Sequence, residues 1–368
     1  MGYLYNRSGH WAYRIATGKN SQGKRTTKTQ SGFPTKKAAQ MAMIEAELQI
    51  KRGTYFHYRI TIEELALSWL DRMKLSVRTN TLNKYTYIIH KRLIPAWGKK
   101  RLMDVTAKDV ETYYRALITD EYAPLAPRTV QDIHKVFKAL FNEAKKYGYL
   151  TASPLDLVRA PSSPRKKLRY WNEEQSKMFL ERAEEEREYI IYVLALGTGM
   201  RQAEILGLHW EDVDFKRKSI SVRQTLSRNG KVFEEVKSTA GYRGINISTS
   251  VMKALHNWKA YQENEKNLGG EEYQENDLVV TTTVGTPFHS SNVSRSWRRL
   301  LEKVDVPRIR FHDMRHTHAT LLLKQGIHPK IVSERLGHAN VRVTLDTYSH
   351  VLPGLQEVAA DAIEEVLF

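Results

Sequence analysis

No cysteine occurs among the 368 residues, so disulfides, thiolate metal ligands and a cysteine nucleophile are excluded. A cysteine-free chain suits a reducing compartment. No apolar run approaches the ~20 residues that a membrane-spanning helix needs. The N-terminus, MGYLYNRSGHWAYRI, holds no apolar signal core, and Asn6 stands where a myristoylation signal after Gly2 wants Ser or Thr. The expected compartment is therefore the cytoplasm, with no membrane partner. A phosphate-cradling G-x-x-x-x-G-K-[ST] loop is missing, as are internal repeats and low-complexity tracts. Acid is locally absent too: residues 1–44 carry eight Lys or Arg and not one Asp or Glu.

Positive charge is what the chain has in excess. Lys and Arg number 58 against 41 Asp and Glu, a net of +17, and the pI lies near 9.7. An imbalance of that size favours a polyanionic partner. Hydrophobic residues at 41% and charged residues at 27% are ordinary for a folded protein, and the length allows two or three domains.

Alternation of Trp11, Tyr13 and Ile15 predicts a strand over 11–17, joined to a strand over 3–6 by Asn6-Arg7-Ser8-Gly9. A second turn, Asn20-Ser21-Gln22-Gly23, leads to a third strand near 24–30, and Thr35 can cap a helix to about Arg52. A basic sheet of this kind can lie against phosphates or enter a groove, with Arg14, Lys24, Arg25 and Lys28 as candidate contacts. From Thr61 to about Leu150 the pattern is helical. Thr61 with Glu64, and Thr106 with Asp109, form N-terminal capping pairs. Pro95 and Gly98 are expected to break two helices apart, and Gly148 to end the last one before Pro154. Val136, Leu140 and Ala144 recur at helical spacing, which predicts a four-helix unit. Trp69, Tyr85, Tyr87, Trp97, Tyr113 and Tyr114 are read mainly as its core.

The stretch from Ala160 to Lys167 is an extended Pro/Ser linker with a basic end. Arg165, Lys166 and Lys167 either track a phosphate backbone or form a solvated connector. After Tyr170, helices are interrupted by strand-like runs at 219–225, 231–236 and 244–248, with Asn229-Gly230 as a hairpin signal. The expected fold is multidomain and mainly α with small β elements. It comprises a three-stranded sheet plus helix over 1–55, a helical unit over 60–158, a basic linker over 159–169 and a mixed α+β unit over 170–368.

Three places in that last unit can carry chemistry. Arg201 follows the bend Gly197-Thr198-Gly199, with Glu204 one turn on to orient the new helix. His312 and Arg315, at i and i+3, offer two donors to one anion. Leu336-Gly337-His338 is followed ten residues later by Tyr348, which a short helix can return toward His338. Phosphoryl transfer needs this combination. Its transition state spreads negative charge over non-bridging oxygens that Arg and His donors stabilise, and it needs a nucleophile and an acid for the leaving oxygen. No metal is required by that set.

The segments TGMRQAEILGLHWEDVD and HDMRHTHATLLLKQGIHPKIVSERLGHANVRVTLDTYSHV resemble the two active-site boxes of tyrosine site-specific recombinases of the phage-integrase type. The segments RLIPAWGKKRLMDVTAKDVETYYRAL and APRTVQDIHKVFKALFNEAKKYGYL resemble that family's core-binding domain, and the basic N-terminal sheet resembles its arm-binding domains. The resemblance implies that Arg201 and Arg315 clamp the scissile phosphate, that His338 and His312 donate to it or assist proton transfer, and that Tyr348 attacks phosphorus. The family's lysine, in a turn between two strands, fits Lys237, with Lys231 as second candidate. Glu204 and His350 would support the site. Ala203, where relatives often have Gly or Ser, is a mild departure.

Cleavage would then pass through a 3′-phosphotyrosyl link, with no cofactor and no metal. The implied partners are double-stranded DNA attachment sites of core and arm type, three further copies in a homotetramer on DNA, a host DNA-bending factor and an excisionase, all in a bacterial cytoplasm. Other readings weighed are a metal nuclease built on His312, His316, His318, His328, His338 and His350, a type IB topoisomerase, and a non-catalytic DNA-binding regulator. At the C-terminus, Leu355, Val358, Ala359, Ala362, Ile363 and Val366 form one apolar helical stripe, expected to pack on its own domain or on a neighbouring protomer.

Overall fold

The computed structural model describes residues 2–19, 25–51, 60–164, 168–227, 230, 233–235, 241–348 and 355–367. The turn expected at 20–23, the lysines at 24, 166, 167, 231 and 237, Arg165, Asn229 and His350 lie outside that set. The chain divides into two units, Met1–Arg165 and Lys166–Phe368.

In the first unit an antiparallel sheet runs β1 (Tyr3–Arg7), β2 (His10–Lys19), β3 (Arg25–Phe33), in that spatial order. The β1–β2 turn sits on Ser8 and Gly9, both at positive φ, as a two-residue hairpin connection demands. Helix α1 (Lys36–Lys51) follows, the Thr35 hydroxyl accepting from the Ala38 amide. Tyr13 and Ile15 bury against Ala46 of this helix. Register decides which basic residues are free of that face. Lys28 pairs directly with Ile15, whereas Arg14 pairs with Thr29, so Lys28 shares the helix-covered face and Arg14 stands exposed on the other.

The helical part comprises α2 (Ile62–Met73), α3 (Thr79–Ile88), α4 (Ile94–Trp97), α5 (Ala107–Thr119) and α6 (Pro127–Lys146). Both expected capping boxes form, at Thr61 with Glu64 and at Thr106 with Asp109. Pro95 does not break a helix. A π turn over Ile89–Leu93 joins α3 to α4 without interruption. Proline offers no N–H to the preceding turn and crowds its carbonyl, and the wider π turn just before Pro95 accommodates both defects. Gly98 is where the run ends. Four helical rods thus enclose a core holding Trp69, Trp97, Tyr114, Phe137 and Phe141, with Tyr87 left exposed.

In the second unit, α7 (Glu173–Ala183) and α8 (Tyr189–Thr198) lead to α9 (Gln202–Leu206). Every residue from Ile190 to Leu196 is buried, as expected of a helix apolar on all sides, and α8 packs against α7. Strands β4 (Val213–Asp214), β5 (Ser219–Val222) and β8 (Arg243–Asn246) make one antiparallel sheet, while β6 (Gln224–Leu226) and β7 (Phe233–Glu235) make a separate pair. The run expected as one strand over 219–225 is therefore split at Arg223 between two sheets. Helices α10 (Thr249–Gly269), α11 (Ser290–Leu301), α12 (Asp313–Lys324), α13 (Pro329–Leu336), α14 (Val341–Tyr348) and α15 (Leu355–Leu367) complete the unit. Trp171, Phe179, Tyr192 and Trp297 pack in its main core with their rings tilted or edge-on to one another. A smaller core unites Ala319, Leu323, Val332, Leu336 and the Tyr348 ring.

Phe137 is fully buried with Trp97 and Phe141 rings 5.4 and 5.2 Å away. Phe137→Ala is expected to cost about 3–5 kcal/mol, read as a lower urea midpoint of the full chain by far-ultraviolet circular dichroism.

Candidate active site

Two left-handed glycines shape the site. Gly199 (φ 70°) ends α8 and Gly337 (φ 66°) ends α13. A Cβ at 199 would stand 2.7 Å from His318 Cδ2 and 2.8 Å from a Leu336 methyl, so both the backbone angle and the close approach demand glycine. The bend sets Arg201 at the N-cap of α9, where its backbone N–H donates to Glu204 Oε2 (2.9 Å) and its guanidinium to Oε1 (2.6 Å). Glu204 also accepts from the buried Arg243 (2.8 Å), whose Nε donates to the Arg335 carbonyl. Burial pushes the Glu204 carboxyl up, but the Arg243 hydrogen bond and the Arg243 and Arg201 charges override it and hold the group below the usual range.

Arg315 is 3% exposed. It donates to the Gly199 carbonyl (2.7 Å) and the Leu336 carbonyl (2.6 Å), while Arg201 donates to the next carbonyl, that of Gly337 (3.2 Å). The residue after that is His338. The two guanidinium groups are thus anchored on consecutive peptide units at the end of α13. Among the described residues Arg315 forms no ion pair. Burial, then the Arg201 charge, pushes it down to about 9. A buried cation held only by carbonyls, beside a second cation, is an electrostatic arrangement that an incoming anion stabilises.

Helix α14 carries Tyr348 back to α12. Its ring is 1% exposed and its hydroxyl lies 2.7 Å from Nδ1 of His316. Burial pushes the phenol up to about 12, partly offset by Arg315. His338 Nδ1 meets the Thr344 hydroxyl at 2.8 Å. Burial, then Arg315, pushes His338 down to about 4, and burial, then His312, does the same to His316. His312 stands exposed at the N-cap of α12, its ring edge-on to His316 at 5.2 Å.

Arg201, Glu204, His312, Arg315, His338 and Tyr348, picked from the sequence, fall within this one constellation. Lys237 and His350 lie outside the described residues. Four participants were not singled out for it: His316, His318, Arg243 and Arg335. Arg335 donates to the carbonyls of Gly197 and Asn246 and to Nε2 of His318, whose Nδ1 faces the Leu196 carbonyl. Burial, then Arg335, pushes His318 down to about 3. Only the H-x-x-x-H spacing of His312 and His316 gave any local signal; Arg243 and Arg335 are brought in by distant segments. Among the described residues, no three His, Asp or Glu side chains gather as a metal site, and no helix is long and apolar enough to cross a membrane.

Residues 169–354, just over half of the chain, match the phage integrase family. Residues 61–118 match its N-terminal SAM-like domain and residues 1–50 an arm DNA-binding domain. The chain belongs to the phage integrase family. It is a tyrosine recombinase, an enzyme that cleaves and rejoins DNA strands. It is 28% identical to a XerC-like tyrosine recombinase of Caldanaerobacter subterraneus subsp. tengcongensis, over 99% of this chain and 98% of that one. It is 27% identical to the ICEBs1 integrase of Bacillus subtilis over 84% of each. Its fold resembles the Tn1549 transposon integrase solved with transposon right end DNA (TM-score 0.70, 21% identity, 84% of this chain and 100% of that one). It also resembles a lambda integrase dimer bound to a core site (TM-score 0.59, 19% identity, 95% and 94%).

The depressed histidines make stability pH-dependent. Unfolded histidines titrate near ~6.5, whereas folded His316 and His338 titrate near 4 and His318 near 3. Below ~6.5 the unfolded chain binds protons that the folded chain refuses, so stability falls with pH through that window. The urea midpoint should drop progressively between about pH 7 and about pH 5. His318→Gln should flatten that slope while lowering the midpoint at neutral pH; an unchanged slope would place the titration elsewhere.

Proposed function

We propose that this recombinase integrates and excises a mobile element or phage genome, with Tyr348 as the nucleophile. The observation that carries the assignment is the anchoring of Arg201 and Arg315 on the consecutive carbonyls of Gly337 and Leu336, directly before His338, with Tyr348 packed onto the same helices. In this reading the two guanidinium groups bind the non-bridging oxygens of the scissile phosphate, and His338 and His312 donate to it. Tyr348 attacks phosphorus, the phenolic O–P bond forms as the P–O5′ bond breaks, and Lys237 supplies the leaving oxygen's proton. The 5′-hydroxyl of a partner strand later reverses the step, so bond energy is kept and no ATP is consumed. Glu204 keeps Arg201 in place, and His350 supports the nucleophile.

The remaining roles follow the family matches. Residues 1–55 would read arm sites and residues 60–158 core sites, joined through the basic linker 159–169 to the catalytic unit 170–368. Arg14, Lys24, Arg25, Lys28, Arg165, Lys166 and Lys167 remain candidate DNA contacts, Arg14 being better placed than Lys28. The working assembly would be a homotetramer on DNA in the bacterial cytoplasm, aided by a host bending factor and an excisionase. Helix α15 suits exchange between protomers, since Ile363 and Val366 on its apolar stripe are 55% and 77% exposed.

Sequencing the junction of an excised element gives the crossover site. On a nicked suicide duplex of that site, wild type should become covalently joined to DNA and Tyr348→Phe should bind without capture, because only the phenolic oxygen is lost. Equal capture by the variant would overturn the assignment. Lys237→Ala should be slow on the ordinary duplex and recover much of its rate when sulfur replaces the leaving 5′-oxygen, since a thiolate departs without an acid. An absence of recovery would remove Lys237 from that role.

A further inference from the structure

The Tyr348 hydroxyl has one described hydrogen-bond partner, and it is none of the residues assigned above to the phosphate. Nδ1 of His316 lies 2.7 Å away, with the rings inclined at 60° and their centroids 5.7 Å apart. We propose that His316 is the proton acceptor for Tyr348 in strand cleavage and the proton donor to the same oxygen in rejoining. The inference rests on Tyr348 being the nucleophile.

The placement comes from α12. Arg315 and His316 are adjacent, so one helical turn directs Arg315 inward to the carbonyls of Gly199 and Leu336 and turns His316 toward α14. Tyr348 is the last residue of α14, and the packing of its ring with Ala319, Leu323, Val332 and Leu336 leaves the phenolic oxygen directed at the imidazole. With the phenol as donor, the ring must carry its own proton on Nε2. Three roles are then divided among three parts of the site: the guanidinium groups hold charge, a separate acid serves the 5′-oxygen, and His316 serves the attacking oxygen.

The proton balance closes. As the Tyr348 oxygen bonds to phosphorus its proton passes to Nδ1, and the P–O5′ bond breaks with a second proton delivered to the 5′-oxygen. In rejoining, the imidazolium returns its proton to the departing phenolic oxygen. The groups facing His316 are His312, Asp313 and Arg315 on its own helix, Arg310 just before it, Tyr348 on α14 and His338 beyond α13. Burial and those cations keep the free ring neutral at neutral pH, which is the accepting form. Because the phenol is a weak acid here, transfer must accompany O–P bond formation rather than precede it, as general base catalysis requires.

His316→Asn tests the idea, since an amide can hold the hydroxyl but cannot take its proton. Full-length wild type and variant are compared by single-turnover capture on the suicide duplex, with oxygen or with sulfur at the 5′ leaving position. The expected result is a loss of about 10²–10³-fold with either leaving atom, at unchanged duplex affinity and thermal midpoint. His316→Ala should lose as much and regain rate with added imidazole, which supplies a base that asparagine at that position would shut out. Three results would overturn the proposal: capture by His316→Asn within about threefold of wild type, a defect that disappears with sulfur, or faster capture, which would make the contact an inhibitory latch. Should the asparagine variant melt early, the imidazole response of the alanine variant decides alone, rescue supporting the role and its absence refuting it. Wild type that fails to capture DNA at all would instead refute the Tyr348 assignment.

Discussion

The grip of one buried guanidinium on two peptide carbonyls organises the catalytic unit. Arg315 ties the end of α8, at Gly199, to the end of α13, at Leu336, from its own position in the first turn of α12. Those two ends also deliver Arg201 and His338. Were Arg315 merely a charge, a lysine would serve; what the structure uses is a flat, forked donor that satisfies two orphan helix-end carbonyls together. The cost is a cation that is sealed from water and forms no ion pair among the described residues, which the fold tolerates at the place where chemistry brings in an anion.

Around that grip lies a second layer made of the same type of bond. Arg335 holds the carbonyls of Gly197 and Asn246 together with His318, and Arg243 holds Glu204 and the Arg335 carbonyl. Glu204 is the sole carboxylate that the described residues bring to Arg201 and Arg243. It fixes Arg201 by its side chain and its backbone N–H at once, so the angle of a partly exposed arginine is set by a fully buried acid.

What could be read from the sequence was whatever depends on near neighbours. The capping boxes at Thr61 and Thr106 are four-residue motifs, and the Gly-Thr-Gly-Met-Arg bend, the His312–Arg315 pair and the Gly337-His338 turn are all contained within a turn or two of chain. Their convergence on phosphoryl chemistry could be argued from residue types. Four features escaped for physical reasons. The face on which Lys28 lies follows from strand register across a turn, which composition does not encode. Arg243 and Arg335 act on backbone atoms 89 to 138 residues away along the chain, so their neighbours in sequence say nothing about them. His316 drew notice only as a possible metal ligand because its partner, Tyr348, is set by how α14 folds back, and the helix break expected at Pro95 failed because the backbone widened instead.

That widened turn has a bearing on chain length. Each residue advances a helix by roughly 100°, so an extra one would shift the phase of everything that follows it had the π turn over Ile89–Leu93 not absorbed it. Ile89, Leu93 and Trp97 all face the core of the helical part, and Trp97 meets Tyr113 and Phe137 there. Loss of one residue from this turn would restore ordinary helix geometry and leave the Trp97 indole close to its present phase, because the wider turn had absorbed the extra residue, but it would set Pro95 against an intact backbone ladder. The count of residues between Ile88 and Trp97 is thus tied to the proline rather than to the core, and several of the residues that make it up, His90 and Lys91 among them, face water.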